Sequence, residues 1–112
     1  MRRPREYLGQ LELMVLLAIV RSDGEAYGVR ISKCIEEASG REVSLASVYA
    51  ALERLERKGL VKSFLGEPTR ERGGRARTYF RPTTSGLQEA RAAFATLNRL
   101  SGGFALLKGR YA

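Results

Sequence analysis

The chain has 112 residues, of which 20 are Lys or Arg and 12 are Asp or Glu, so its net charge at neutral pH is +8. This length fits one compact domain, and the excess of positive charge predicts a polyanionic partner. Because the chain has one cysteine and no histidine, intrachain disulfides, zinc sites built on Cys and His, and triads with a histidine base are excluded.

Two helices are predicted in the first part of the chain. Apolar residues at helical spacing from Leu8 to Ile19 predict a helix over residues 8–21 that is buried on most sides. A second apolar stripe, from Tyr27 to Ala38, predicts a helix that Gly40 closes as a left-handed cap. Cys34 lies on that stripe and is expected to be a small buried hydrophobic residue rather than a redox sensor.

A third helix is predicted to begin after the capping residue Ser44 and to stop at Gly59. Its leucines and valine recur at spacings of three and four, which turns small and polar residues outward. Glu53 is expected to pair with Arg57, four residues on, rather than to accept from a cytosine. The inward set is Leu45, Val48, Leu52 and Leu55, and the outward or flanking set is Ala46, Ser47, Tyr49, Ala50, Glu53, Arg54 and Arg57.

The rest of the chain predicts a β-hairpin followed by a helix. Residues 60–65 and 77–81 are rich in β-formers and enclose a long basic tip, and Pro82 ends the second strand. Thr83 or Ser85 caps the last helix, which Gly102 and Gly103 break. Whether a short helix or a frayed tail follows stays open. The apolar stripe of the last helix is Leu87, Ala90, Phe94, Leu97 and Ser101.

The order of three helices, a hairpin and a helix is that of a winged helix-turn-helix with an added C-terminal dimerisation helix, a mainly α fold with a small β-hairpin. We expect a DNA-binding domain over residues 1–82 and a dimerisation helix and tail over 83–112. Residues 54–81 hold nine basic and three acidic side chains, a net of +6. This charge falls on the end of the third helix and on the wing, the two elements that face DNA in such a fold.

The residue types on these two elements suit contact with a duplex. Hydroxyls and guanidiniums bind phosphates or base edges, and small residues let a helix approach the floor of the groove. In the wing, two glycines allow a tight turn, and the arginines around them can straddle a backbone or enter a minor groove. The candidate DNA-contacting residues are Ser44, Ser47, Tyr49 and Arg54 on the helix, and Arg70, Arg72, Gly73, Gly74, Arg75 and Arg77 in the wing.

Four stretches are similar to the PadR family of bacterial transcriptional regulators: LGQLELMVLL at 8–17, AYGVRI at 26–31, VSLASVYAALERLERKGLV at 43–61, and ERGGRARTYF at 71–80. The resemblance implies a winged-helix homodimer that binds a near-palindromic operator in double-stranded DNA. It further implies repression that a small molecule or another signal relieves. By position it assigns DNA contact to Ser47, Tyr49, Arg72, Gly73, Gly74 and Arg75. The dimer contacts implied on the first and last helices are Leu8, Leu11, Val15, Leu87, Ala90, Phe94 and Leu97.

Some compact members of the family hold flat drugs between tryptophans, and this chain has no tryptophan. We therefore expect Phe94 and Phe104 to serve in packing, with a small apolar effector in a cavity beside them as the less favoured alternative. A protein-interaction module whose wing meets an acidic protein is the main functional alternative. RNA binding is weaker, because Tyr49 and Tyr79 are the only candidates for base stacking on these elements.

The sequence also argues against a membrane span and against catalysis. Its longest unbroken apolar run, from Leu13 to Val20, is eight residues, whereas a spanning helix needs about 20. The basic start of the chain is followed by Glu12 and by no small-residue cleavage site, unlike a signal peptide. No glycine-rich phosphate loop or nucleophile elbow is present. We expect a cytoplasmic protein that is not an enzyme and binds no cofactor or metal.

Overall fold

The computed structural model describes residues 8–67 and 76–109. Three helices are followed by a two-stranded antiparallel hairpin and a long helix, which confirms the fold predicted from the sequence. The elements are α1 (Gln10–Arg21), α2 (Gly28–Ser39), α3 (Leu45–Arg57), β1 (Val61–Leu65), β2 (Thr78–Pro82), α4 (Thr84–Leu100) and α5 (Ala105–Lys108).

Local capping explains where the helices begin and end. Gly40 closes α2 with a φ of 73°, in the left-handed region that glycine adopts without strain. Ser44 and Thr83 cap α3 and α4, since their side-chain oxygens accept from backbone N–H groups three residues on. After α4, Gly102, Gly103 and Phe104 all have positive φ, and the short helix α5 follows them.

The core lies where α1, α2 and α3 meet the hairpin. Two expectations about burial were wrong. Leu45 is 42% exposed, because it is the first residue of α3 and lies beyond the part of the helix that its neighbours cover; Ala51 is fully buried instead. Cys34, expected to be buried, is only half-buried beside the core. Helix α1 is buried on most sides as predicted, with Leu17, at 42% exposure, on its open side. The largest fully buried side chains are Leu16, Ile19, Ile31, Leu52, Leu55, Val15, Val48 and Val61.

The hairpin is anchored to the segment that precedes α2. Its register pairs Val61 with Pro82, so Pro82 is the last residue of β2 rather than the residue after it. On its other edge, β2 meets Ala26 in a single antiparallel bridge, where the Phe80 N–H donates to the Ala26 carbonyl over 2.8 Å. Phe80 is buried beneath this bridge. The sequence analysis did not identify this connection, and it ties the wing to the start of α2.

The start of α4 is held tightly against the end of the turn that precedes β1. Thr83 donates through its N–H to the Leu60 carbonyl and through its Oγ1 to the Gly59 carbonyl. At Gly86 the two backbones are so close that a Cβ would overlap the Leu60 carbonyl oxygen. Because α4 packs on α1 and β2 near its start, its orientation is determined there. In the described part of the chain, no helix is long and apolar enough to cross a membrane.

Candidate nucleic-acid interface

The outer side of α3 is an uncovered surface of small and charged residues. Ala46, Ala50, Glu53 and Arg57 are all exposed on it, as the helical periodicity predicted. The opposite side buries the apolar residues that pack on α1 and α2. We call the exposed side of α3 the outer face. Its small side chains allow a close approach to a second surface.

The hydroxyls of Ser44 and Ser47 lie together at the start of α3, beside the outer face. Ser44 Oγ accepts from the Ser47 N–H at 3.1 Å and donates to Ser47 Oγ at 2.9 Å. The Ser47 hydroxyl keeps its own proton for an outside acceptor, because it acts as the acceptor in this contact. The cap that starts the helix therefore also orients a hydrogen-bond donor beside the outer face.

Tyr49 lies on the flank of α3 that faces α2 and the hairpin. It is 49% exposed, and its hydroxyl end lies over Gly28, where a Cβ would overlap it. The side chain lines a cleft of about 470 Å³ between the start of α2, α3 and β2. Within this cleft Ser63 donates to the Glu56 carboxylate at 2.9 Å. Tyr49 thus points along the surface toward the start of α2 instead of straight outward.

The opposite flank of α3 carries ion pairs that the sequence analysis missed. Arg54 Nε lies 3.4 Å from Glu12 Oε1, and Lys58 Nζ lies 2.7 Å from Glu12 Oε2. The expected pair between Glu53 and Arg57 was wrong, since no ion pair of the described residues joins them. A lone acidic residue inside an apolar helix signals such a contact, because a buried carboxylate needs a partner.

A row of aromatic rings crosses the outer surface of the hairpin and ends on two guanidiniums. Tyr27 meets Tyr79 edge-on at 5.8 Å between ring centroids, and Tyr79 stacks on Phe64 at 5.7 Å. Arg77 lies over the Tyr27 ring at 3.9 Å, and Arg81 over Phe64 at 5.2 Å. Arg77 is therefore held against the start of α2. The predicted wing-tip residues Arg70, Arg72, Gly73, Gly74 and Arg75 lie outside the described residues.

The residues predicted for dimer contact fall into two groups. Val15 and Ala90 are buried within the protomer's own core, and Leu8, Leu11 and Leu87 are half-buried. The second group is exposed: Phe94 at 61% and Leu97 at 55%, continued by Leu100 at 72%. Phe104 is also mostly exposed. An apolar groove of about 390 Å³ lies elsewhere, between α1 and α2, with Cys34 among its lining residues.

The fold and this surface agree with a match to a known protein family. Residues 16–92 match the family described as the Transcriptional regulator PadR-like family. The chain belongs to this family. Among curated proteins, none matches the sequence. Membership of the PadR-like family makes the chain a DNA-binding transcriptional regulator, a class of protein that is not enzymatic. The described residues contain no group of three or more His, Cys, Asp or Glu side chains arranged to hold a metal ion.

Solved structures of similar proteins support the same assignment. A PadR-like transcriptional regulator from Bacillus cereus is 27% identical, with a TM-score of 0.71 over 89% of this chain and 93% of that one. A PadR family transcriptional regulator from Eggerthella lenta is 28% identical, with a TM-score of 0.67 over 87% and 83%. A transcriptional regulator from Clostridium thermocellum is 25% identical, with a TM-score of 0.69 over 89% and 90%.

Proposed function

We propose that this PadR-family chain is a dimeric repressor whose two outer faces and wings bind the half-sites of a near-palindromic operator. A small molecule or another signal then releases the DNA. The observation that carries the proposal is the outer face itself: an exposed helix side of small and charged residues, with an oriented hydroxyl beside its start and Arg57 at its end. A helix of this composition fits a major groove.

Different residues serve different parts of the recognition. Ser47 and Tyr49 are proposed to read bases or position the helix, while the arginines contact phosphates without reading sequence. On the wing, Arg72, Gly73, Gly74 and Arg75 are proposed from the family resemblance, and Arg70 from its place among the basic residues that flank the glycines. Arg77 lies at the root of the wing, by which we mean the contacts of Ala26 and Tyr27 with the hairpin. Its guanidinium is held there by stacking on the Tyr27 ring. Ser44 acts through its cap, since its hydroxyl is already bonded to Ser47.

Dimer formation is supported by the exposed apolar residues of α4. Phe94, Leu97 and Leu100 recur at spacings of three and are the large apolar side chains that α4 leaves exposed. A soluble monomer rarely leaves so continuous an apolar stripe in water. We propose that the stripe packs against the partner protomer, with the half-buried residues of α1 at the edge of the contact. Two outer faces related by a two-fold axis then match a near-palindromic site.

The test is a titration of fluorescent duplexes that span the region upstream of the chain's own gene, read by anisotropy at several salt concentrations. If the dimer neutralises about six phosphates, log K should fall with log salt at a slope of about −5. Ser47→Ala and Tyr49→Phe should change the preference among duplex sequences, whereas Arg75→Ala should weaken binding to all of them alike.

The same titration with polyglutamate as the ligand, together with DNA footprinting, distinguishes the alternative function from the proposed one. A protein-interaction module that meets an acidic partner would bind polyglutamate as tightly as any duplex and would leave no footprint on DNA. That result, or an affinity that does not respond to salt, would overturn the proposed function.

A further inference from the structure

Glu12 is a nearly buried carboxylate that bridges α1 to α3. Its side chain is only 9% exposed, and its two oxygens pair with Arg54 of α3 and with Lys58, the residue that caps the end of α3. Oε2 is 2.7 Å from Lys58 Nζ, a short charge-assisted hydrogen bond, and Oε1 is 3.4 Å from Arg54 Nε. The carboxylate therefore pairs with the cations at the end of α3 rather than with solvent.

The two cations lie beside the surface proposed to meet DNA. Positions 47, 54 and 58 fall on one flank of α3 at 100° per residue, next to the outer face. The side chains of Arg54 and Lys58 are 42% and 28% exposed, so both reach the surface while they hold Glu12. Arg57, which lies between them in sequence but on the outer face, makes no ion pair with a described residue.

Building on the DNA-binding role proposed above, we propose that Glu12 is an internal counter-charge that competes with DNA phosphates for Arg54 and Lys58. By holding both cations, Glu12 limits the affinity of the outer face for DNA of arbitrary sequence. Phosphate contacts add affinity without sequence information. By withdrawing two cations from phosphate contact, the buried carboxylate lowers sequence-independent binding and leaves base contacts in place. Glu12 is therefore a specificity-determining and positioning residue.

The first experiment replaces the counter-charge. Glu12→Gln is titrated by anisotropy with a labelled duplex of random sequence between 50 and 200 mM salt. Each further phosphate that a freed cation neutralises should steepen the slope of log K against log salt by about 0.9. Glu12→Gln should bind the random duplex about threefold or more tightly at 50 mM salt, and should discriminate less between random and upstream-region duplexes.

Glu36→Gln is the matched control, because it changes the net charge equally. Glu36 lies exposed on α2, and its carboxylate makes no hydrogen bond or ion pair with a described residue. Charges beyond about 10 Å are largely screened at 0.1 M salt, so this variant should keep the wild-type slope. An equal increase in affinity in both variants would mean that net charge alone acts, and would overturn the proposal.

A second arm leaves Glu12 intact and compares neighbouring arginines. Arg54→Gln should lower affinity for the random duplex much less than Arg57→Gln, because Arg54 is already neutralised. The double variant Glu12→Gln with Arg54→Gln should lose much of the added affinity that Glu12→Gln alone produces. Far-UV circular dichroism verifies that each variant is folded.

The results distinguish this proposal from the function on which it rests. If the wild-type chain binds no duplex, the DNA-binding proposal fails, and this one with it. If the wild-type chain binds but Glu12→Gln has the wild-type slope, only the counter-charge fails. Should Glu12→Gln not fold, equal losses from Arg54→Gln and Arg57→Gln would overturn the counter-charge, and a clearly smaller loss from Arg54→Gln would support it.

Discussion

Gly86 is the residue at which the backbone of α4 comes closest to another element. A Cβ there would overlap the carbonyl oxygen of Leu60, and a backbone carbonyl can move only with the turn to which it belongs. We expect Gly86→Ala to reduce the free energy of unfolding by about 1–3 kcal/mol, the usual cost of overpacking. Urea denaturation measures this cost. Ser85→Ala, at an exposed neighbouring position, is the control and should change stability far less.

Gly28 offers a contrast, because the atoms that a Cβ would meet belong to the hydroxyl end of Tyr49. A side chain can turn away, so Gly28→Ala should cost little stability but should displace Tyr49 from the cleft. We therefore expect a changed preference among operator variants, measured by anisotropy with duplexes that differ by one base pair. A wild-type preference in folded Gly28→Ala would show that the position of Tyr49 does not matter to recognition.

At the scale of elements, the position of the wing depends on the contacts at its root. The Tyr27 ring contacts both Tyr79 and Arg77, and next to it the Phe80 N–H donates to Ala26. Loss of the ring in Tyr27→Leu removes a cation–π contact worth about 0.5–1 kcal/mol, together with the edge-on aromatic contact. We expect faster hydrogen exchange at the Phe80 amide in this variant. Tyr27→Phe keeps the ring and should exchange like the wild-type chain.

The sequence predicted those features of the elements that depend on nearby residues. The caps at Ser44 and Thr83, the left-handed Gly40 and the outward side of α3 all follow from spacings of a few residues. The exposure of Leu45 could not be read in this way, because periodicity gives the direction of a side chain but not where the neighbouring helices end.

The same limit explains the errors at the candidate site. Glu12 is 42 residues from Arg54 in sequence, and the nearer Arg57 looked like the natural partner for Glu53 by helical spacing alone. Only the packing of α1 on α3 reveals which cation is engaged. Likewise, the contact of Ala26 with Phe80 joins residues far apart in sequence, so no local pattern identified the root of the wing.

The exposed stripe of α4 also gives a prediction at the element scale. Phe94→Glu would place a charge within the apolar surface proposed to meet the partner, so we expect the dimer to dissociate to a monomer. Sedimentation at micromolar concentration measures the change. Ala92→Glu is the control, because Ala92 is exposed and lies about 160° around the helix from Phe94. A dimer that persists in Phe94→Glu would move the interface elsewhere.

At the scale of the whole molecule, the two proposed contacts occupy different elements. The outer face and the wing belong to α3 and the hairpin. The apolar stripe belongs to the later part of α4, beyond the contact of that helix with Leu60. Most of the net charge, +6 over residues 54–81, belongs to the elements proposed to face DNA. Such a division lets one chain bind a partner protomer and a duplex at the same time.

This division predicts how stability depends on protein concentration. A domain of this size gains only modest stability from its own core, and dimer formation adds free energy that grows with protomer concentration. We expect the Tm of the wild-type chain to rise across a hundredfold range of concentration, as measured by differential scanning calorimetry. Phe94→Glu should unfold at a lower Tm that does not change with concentration. A wild-type Tm that is equally insensitive would mean that α4 stays exposed in a stable monomer.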